Sequence, residues 1–97
     1  MIQSFADAGS EAIFNGRNTK EARKTCPQRL RSVASRKLDQ LDSAESLEDL
    51  RIPRGNRLEA LSGSRKGQFS IRINEQYRLC FEWTASGPVD VEIVDYH

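Results

Sequence analysis

The chain ends in Asp95, Tyr96 and His97, three consecutive residues that can donate or accept protons. His97 is the single histidine of the sequence, and Arg72 and Arg78 stand at alternate positions of two strand-like runs upstream. The planar guanidinium of arginine suits a phosphate, whereas histidine and carboxylate groups can move protons near neutral pH. Metal-free cleavage of RNA needs such groups. The 2′-hydroxyl must lose a proton, the leaving 5′-oxygen must gain one, and the negative charge that develops on the phosphate must be neutralised.

The same residues also permit a plainer interpretation. A lone terminal histidine is often incidental, and Arg72 and Arg78 would be at home on a solvated strand face. That interpretation leaves a small domain that binds an anion. A twisted sheet can bring the end of the last strand beside an arginine of a neighbouring strand, but the spacing alone leaves both interpretations open.

The strands that must position these groups lie in the second half of the chain. QFSIRIN at residues 68–74 and YRLCFEW at residues 77–83 alternate with a period of two, and their short separation predicts a hairpin. Arg72 and Arg78 fall on one face. The opposite, core-forming face carries Phe69, Ile71, Ile73, Tyr77, Leu79, Phe81 and Trp83. RLEALSG before this hairpin and VDVEIVDYH after it complete a predicted antiparallel meander of three or four strands.

The first half of the chain has helical periodicity. An apolar stripe at three- and four-residue steps predicts one helix over residues 27–41, with Thr25 as its cap. The stripe consists of Leu30, Val33, Ala34, Leu38 and Leu41. Before it, SEAIFNG predicts a short helix capped by Ser10, residues 17–25 are expected to form a loop or a frayed turn, and MIQSF has the pattern of a short strand.

These patterns predict an α+β fold in which N-terminal helices pack on one antiparallel sheet, as a single domain over residues 1–97. The two cysteines are too few for a disulfide framework, and no spacing of cysteine or histidine indicates zinc, so we expect no metal or cofactor. We expect neither a signal peptide nor a membrane span, because the first residues lack the signal pattern and no apolar run approaches about 18 residues. The expected location is the cytoplasm.

Charge is distributed unevenly although the formal net charge is only +1. Residues 51–82 contain seven basic side chains and three acidic ones, whereas the tail beyond them contains only acidic ones. Such a cluster indicates a local anion-binding surface on a nearly neutral protein, or else an ordinary solvated face.

Three segments in order, MIQSF, NRLEALSGSRKGQFSIRINEQYRLCFEW and VDVEIVDYH, resemble the HigB-type toxins of the RelE superfamily, and especially the branch called GraT. The resemblance covers essentially the whole chain. It implies a compact fold similar to that of microbial ribonucleases. It also implies a ribosome-dependent endoribonuclease that cuts messenger RNA in the ribosomal A site, stops translation and growth, and is neutralised by a HigA-type helix-turn-helix antitoxin. Operator DNA would be contacted only through that antitoxin.

The resemblance also assigns roles to individual residues. The family's essential arginine corresponds to Arg78, and its acid, tyrosine and terminal histidine correspond to Asp95, Tyr96 and His97. Gln76 takes an amide-bearing position where some members have asparagine.

Two positions depart from the family pattern. Where several members have histidine-proline-leucine-lysine-glycine, this chain has EALSG, so Glu59 replaces the histidine and Ser62 the lysine. Glu59 would be the catalytic base or an exposed strand residue. The loss of both groups predicts an enzyme that is weaker or more dependent on the ribosome. The alternative function is a catalytically weak toxin-fold module that mainly binds its antitoxin and modulates operator binding.

The basic stretch is expected to contact RNA. The predicted RNA-binding residues are Arg54, Arg57, Arg65, Lys66, Arg72 and Gln76. Of these, Arg65 and Lys66 would be displayed to phosphates from a turn. The antitoxin is expected to dock on the helical N-terminal half.

Overall fold

The computed structural model describes residues 1–96, and across these the chain forms three α-helices followed by four strands. The helices are α1 (Ala8–Phe14), α2 (Lys20–Thr25) and α3 (Arg31–Ser43). The strands are β1 (Glu59–Ala60), β2 (Gln68–Arg72), β3 (Tyr77–Thr84) and β4 (Gly87–Asp95). Short 3₁₀ turns occur at Gln28–Leu30, Leu47–Arg51, Arg54–Asn56 and Gly63–Arg65. No helix within residues 1–96 is both long and apolar enough to cross a membrane.

The strands form one antiparallel sheet in the order β1-β2-β3-β4. Its register pairs Ile71 with Leu79 and Leu79 with Ile93, so these three apolar side chains share a face. That face is buried in one core with Ala34, Leu38 and Leu41 of α3 and Ala12 and Ile13 of α1. The predicted α+β class, with helices on one face of an antiparallel sheet, is confirmed.

The helix boundaries differ from the predicted ones at the N-terminal ends. The long helix begins at Arg31 rather than at residue 27, because the Gln28–Leu30 segment forms a 3₁₀ turn first. Thr25 caps nothing: it ends α2, and its hydroxyl donates to the Glu21 carbonyl at 2.9 Å. Of the two alternatives expected for residues 17–25, a loop or a frayed turn, the helical one is nearer: α2 forms there, because Thr19 Oγ1 accepts from the Ala22 N–H at 3.0 Å and caps it.

Ser10 is also not a cap. The cap of α1 is Asp7, whose carboxylate accepts from the Ser10 N–H at 2.6 Å. Ser10 is fully buried inside the helix, and its hydroxyl accepts from the N–H of Ile93 at 2.9 Å. Ser10, which was predicted to be a helix cap, therefore links α1 to β4 by a hydrogen bond.

The first five residues run beside β4 without forming a strand. Phe5 makes a single parallel bridge to Val91, and the Gln3 N–H donates to the Pro88 carbonyl at 2.8 Å. Residue Asp90 adopts a left-handed φ of 53° at a bulge, which places one extra residue in β4 opposite β3. This irregularity limits the pairing, so the predicted strand at MIQSF is wrong. The predicted strand RLEALSG is also reduced, to Glu59–Ala60.

Candidate active site on the polar sheet face

The sheet face opposite the helices collects the residues singled out for chemistry. The register pairs Arg72 with Arg78 and Arg78 with Val94, and the two arginines therefore share this face, as the alternation predicted. Ser70, two residues before Arg72, pairs with Cys80, two residues after Arg78, so both lie on this face as well. We call the face defined by these five residues the polar sheet face.

Arg78 is held in place by three other residues. Its Nε donates to the Ser70 hydroxyl at 2.8 Å, and its Nη2 donates to the Arg57 carbonyl at 2.7 Å. Its Nη1 lies 3.6 Å from a carboxylate oxygen of Glu59. The Arg78 side chain is only 12% exposed, whereas that of Glu59 is 56% exposed. Two sides of the guanidinium are thus fixed by neutral oxygens, and the third faces an anion that can move away.

Tyr96 covers this guanidinium from the end of the chain. The Cζ atom of Arg78 lies 5.9 Å from the centroid of the Tyr96 ring, within cation–π range. The Tyr96 N–H donates to the Gln76 carbonyl at 2.6 Å, so backbone pairing continues past the end of β4. Tyr96 is nevertheless 43% exposed. The ring is held by the backbone and remains accessible to a nucleotide.

Asp95 lies at the edge of this arrangement. The register pairs it with Tyr77, which gives it the opposite parity to Arg78. Its carboxylate accepts from the Gln76 side-chain amide at 3.2 and 3.3 Å. Gln76 is itself positioned by the β2–β3 turn, where the Asn74 side chain accepts from its N–H at 2.9 Å. The turn therefore orients the carboxylate beside the Tyr96 backbone. His97 lies outside the described residues, and its role stays a prediction.

Comparison with known proteins identifies the family of this chain. The family described as RelE-like toxin of type II toxin-antitoxin system HigB matches residues 3–97. This chain belongs to that family. It is 53% identical over 83 residues to Toxin HigB-1 of Vibrio cholerae serotype O1, which covers 86% of this chain and 84% of that protein. It is 42% identical over 57 residues to an uncharacterized protein of Haemophilus influenzae, covering 59% of this chain and 56% of that protein.

The family membership confirms the resemblance stated above. The chain is a HigB-type toxin of a type II toxin-antitoxin system, and it therefore has an antitoxin partner.

The cations predicted to contact RNA have different surroundings in this toxin. Arg65 is bound to the sheet, because its Nη1 donates to Gln68 at 3.0 Å and to Glu92 at 3.2 Å. Its side chain is 30% exposed. Lys66, the next residue, is exposed. Of the pair, Lys66 is the side chain available to a phosphate without breaking an ion pair.

The other predicted RNA contacts flank Arg78. Arg54 and Arg57 are exposed on the turn between α3 and β1, where the carbonyl of Arg57 reaches Arg78. Arg72 is half-buried, and its Nη2 lies 3.9 Å from Glu75, a distance that makes a weak ion pair. Arg57, through its carbonyl, and Arg72, through the strand register, are thus neighbours of Arg78.

Sequence reasoning missed two residues, Ser70 and Asn56. Ser70 is fully buried and accepts from Arg78, and its parity with Arg72 in the same strand was the available signal. Asn56 is also fully buried, although it looked only like a turn residue.

Cys80 belongs to the polar sheet face but has no chemical role there. Its thiol is fully buried, and burial raises its pKa, with Arg65 opposing that effect. A buried thiol with a raised pKa is a poor nucleophile, so Cys80 is best described as a small buried strand residue.

Within residues 1–96, no group of three or more histidine, cysteine, aspartate or glutamate side chains could hold a metal ion.

The helical layer has a cavity of its own. Its volume is about 190 Å³, and none of its lining residues belongs to the sheet. They are Ile13, Gly16, Arg17, Asn18, Arg31, Ser32 and Ser35. Arg31 Nη1 donates to the Asn18 side chain at 2.7 Å, and the exposed Arg17 lines the same cavity. This cationic cavity lies on the layer opposite the polar sheet face.

Proposed function

We propose that this toxin is a metal-independent endoribonuclease that cuts messenger RNA in the ribosomal A site, in the cytoplasm, and thereby arrests translation and growth. The observation that carries the proposal is the fixed guanidinium of Arg78 beneath the exposed ring of Tyr96. Family membership supports the same activity.

Arg78 would stabilise the charge of the transition state. The 2′-oxygen attacks phosphorus, the bond to the 5′-oxygen breaks, and the phosphoryl oxygens carry additional negative charge while this happens. Nη1 of Arg78 is the group least tightly held, because its neighbour Glu59 is 3.6 Å away and exposed. A phosphate that displaces the Glu59 carboxylate would take over this position. The hydrogen bonds to Ser70 and to the Arg57 carbonyl orient the guanidinium before RNA binds, so little reorganisation is needed.

Proton transfer would be divided among Glu59, Asp95 and His97. Glu59 lies beside Arg78 and would take the proton of a 2′-hydroxyl once the phosphate has entered. Asp95, oriented by Gln76, and His97 would exchange the second proton. Because the groups interact, the apparent pKa values of the pH–rate profile would belong to the set rather than to one residue.

Tyr96 would stack on a nucleotide. Stacking on an exposed aromatic ring is sequence-tolerant and worth about 1–3 kcal/mol per base. Since the underside of the ring faces Arg78, a base on its outer side would place the adjoining phosphate near the guanidinium.

The ribosome would supply the remaining binding energy. Exposed Arg54, Arg57 and Lys66 would contact ribosomal RNA phosphates, which makes association depend steeply on salt. This chain lacks the histidine and lysine that other members have at Glu59 and Ser62. Docking on the ribosome would therefore contribute more to assembling the site than in those members.

The antitoxin is proposed to be a HigA-type helix-turn-helix protein that docks on the helical layer. The cavity beside Arg17 and Arg31 offers a place for a carboxylate of such a partner. This arrangement leaves the polar sheet face to RNA, and operator DNA would be bound through the antitoxin alone. Arg17→Glu should then weaken antitoxin binding in a pull-down and leave messenger RNA cleavage intact. If that variant binds antitoxin as well as the parent chain, the docking site is elsewhere.

A second candidate function is a catalytically weak module whose main task is to bind the antitoxin. It is favoured by the Glu59 carboxylate, which already partly neutralises Arg78 in the free protein. The rate at which the parent chain cleaves messenger RNA separates the two candidates. Glu59→Gln then tests the role of Glu59. It should lower cleavage if Glu59 is the base, and raise phosphate affinity without loss of cleavage if Glu59 only shields Arg78.

The test of the main proposal is to express the chain without its antitoxin and map transcript 5′ ends. The proposal expects new ends within translated codons, and none when Arg78→Ala replaces the parent chain. The matched control is Arg36→Ala, since Arg36 is an exposed arginine of α3. Growth arrest without new 5′ ends would refute the nuclease assignment, and equal cleavage by Arg78→Ala would refute the role given to Arg78.

A further inference from the structure

Asn56 connects the helical layer to the turn that carries Arg57. It is fully buried at the end of the Arg54–Asn56 turn. Its side-chain amide donates to the Leu50 carbonyl at 3.1 Å and to the Gln40 side chain at 3.2 Å. Its side-chain oxygen accepts from the ammonium group of Lys37. Two residues of α3 thus hold a single side chain of this turn.

A further contact binds the same segment to α3. The Gln40 amide donates to the Ile52 carbonyl at 2.6 Å, so the helix holds the chain on both sides of Pro53. The intervening residues Arg54 and Gly55 are exposed and contribute no burial of their own. The position of this segment therefore depends on its hydrogen bonds to Gln40 and Lys37.

The residue after Asn56 makes the contact with the site. Arg57 adopts a left-handed backbone with φ 46° and ψ 57°, which is unfavourable for a residue other than glycine and persists only where the surroundings enforce it. In this conformation its carbonyl accepts from Nη2 of Arg78 at 2.7 Å.

Ser70 alone cannot fix the guanidinium of Arg78. A single hydrogen bond at Nε leaves the planar group free to pivot about that contact. A second bond at Nη2, from a different segment, fixes its plane and directs Nη1 towards the Glu59 side, where a phosphate would bind.

We propose that Asn56 is a positioning residue for Arg78. It holds the Arg57 carbonyl in the orientation that fixes the guanidinium, and it does so through Lys37 and Gln40 of α3, without touching RNA or the reacting atoms. Its catalytic consequence depends on the proposed function, but its structural consequence for Arg78 does not.

The experiment combines cleavage kinetics with a measurement on the free protein. Asn56→Ala is assayed on programmed ribosomes for kcat and KM. The exchange rate of the Arg78 Nη2 protons, which donate to the Arg57 carbonyl, is then measured by NMR, with the resonance assigned from Arg78→Ala. Because a misplacement of about 1 Å can cost about 100-fold in rate, we expect kcat to fall about 10- to 100-fold with little change in KM. The Nη2 protons should exchange at least about tenfold faster, since a tenfold change corresponds to the loss of one modest hydrogen bond, the one to the Arg57 carbonyl. Asn15→Ala is the matched control, an exposed asparagine of the helical layer.

A second variant covers the case in which Asn56→Ala does not fold. Lys37→Met keeps the aliphatic stem and removes only the donor to Asn56, and Lys37→Arg restores a donor. The methionine variant should show a smaller fall in kcat with little change in KM, and a smaller rise in the proton exchange rate of Arg78. The arginine variant should restore the values of the parent chain.

The outcomes separate the two hypotheses. If the parent chain cuts no RNA, the proposed function fails, and the proton exchange of Arg78 still tests the positioning role. If the folded Asn56 and Lys37 variants retain the parent kcat, or the parent exchange rate at Arg78, the positioning role is refuted.

Discussion

The two faces of the sheet are stabilised in different ways. On the helical side, Ile71, Leu79 and Ile93 pack against α3 through many undirected contacts and are at most 5% exposed. On the polar sheet face, Arg78 is held by a hydroxyl, a carbonyl and a distant carboxylate, each from a different segment. Loss of one contact on the first face should cost stability and leave the geometry of the site intact. Loss of one contact on the polar sheet face should alter the geometry of the site and change the stability little.

The largest expected effect is that of Arg78→Ala on catalysis. An arginine that stabilises a transferring phosphoryl group is worth about 10³- to 10⁵-fold in kcat, and we expect a loss in that range. The free energy of unfolding should change little, because the side chain lies on the polar sheet face and most of its partners are satisfied by water once it is removed. The measurement is single-turnover cleavage on programmed ribosomes, with antitoxin binding as the control for folding. A variant that cleaves within tenfold of the parent would place the phosphate elsewhere.

Leu38→Ala should have the reverse effect. Leu38 is fully buried in the core, and truncating such a leucine costs about 2–5 kcal/mol of the free energy of unfolding. In a domain of this size, each kcal/mol lowers Tm by about 4–8 °C. The kcat of the molecules that remain folded should be unchanged. Denaturant unfolding and cleavage at low temperature test both statements, and a large fall in kcat with normal stability would mean that the two faces are not independent.

The contrast between the faces also explains what the sequence could predict. Arg72 and Arg78 were placed on one face correctly, because side-chain parity follows from the pleat of any strand. The apolar stripe of α3 was likewise sufficient for Ala34, Leu38 and Leu41, since burial needs only the right spacing.

The errors and omissions arise where a single directed contact decides the outcome. Ser10 and Thr25 both resemble caps, and only the tertiary structure shows that Ser10 bonds to β4 and that Thr19 caps α2. The hydrogen bond from Arg78 to the Arg57 carbonyl depends on a left-handed backbone at Arg57. Arginine rarely adopts that conformation, so the residue type did not predict it. Periodicity was therefore enough to predict the fold class and the face on which each strand residue lies, whereas it did not predict the contacts that hold Arg78.

Tyr96→Ala should have an intermediate effect on cleavage. The loss of one stacked base is worth about 1–3 kcal/mol, so we expect about a 10- to 100-fold fall in kcat/KM. Tyr96→Phe keeps the ring over Arg78 and removes the hydroxyl, and it should retain most activity if the ring stacks. If the phenylalanine variant is as impaired as the alanine variant, the hydroxyl itself takes part in the chemistry.

The smallest expected effect separates two neighbouring cations. Lys66 is exposed, whereas Arg65 donates to Gln68 and Glu92 and is 30% exposed. If Lys66 contacts one ribosomal phosphate, Lys66→Gln should weaken binding to every message about equally and reduce the slope of log affinity against log salt by about 1. Arg65→Gln should change that slope less, because its guanidinium is already paired within the sheet. Binding of the toxin to ribosomes is measured between low and physiological salt for both variants. Equal slopes for Lys66→Gln and the parent chain would remove Lys66 from the interface, and a larger change for Arg65→Gln would show that its ion pair with Glu92 opens when the ribosome binds.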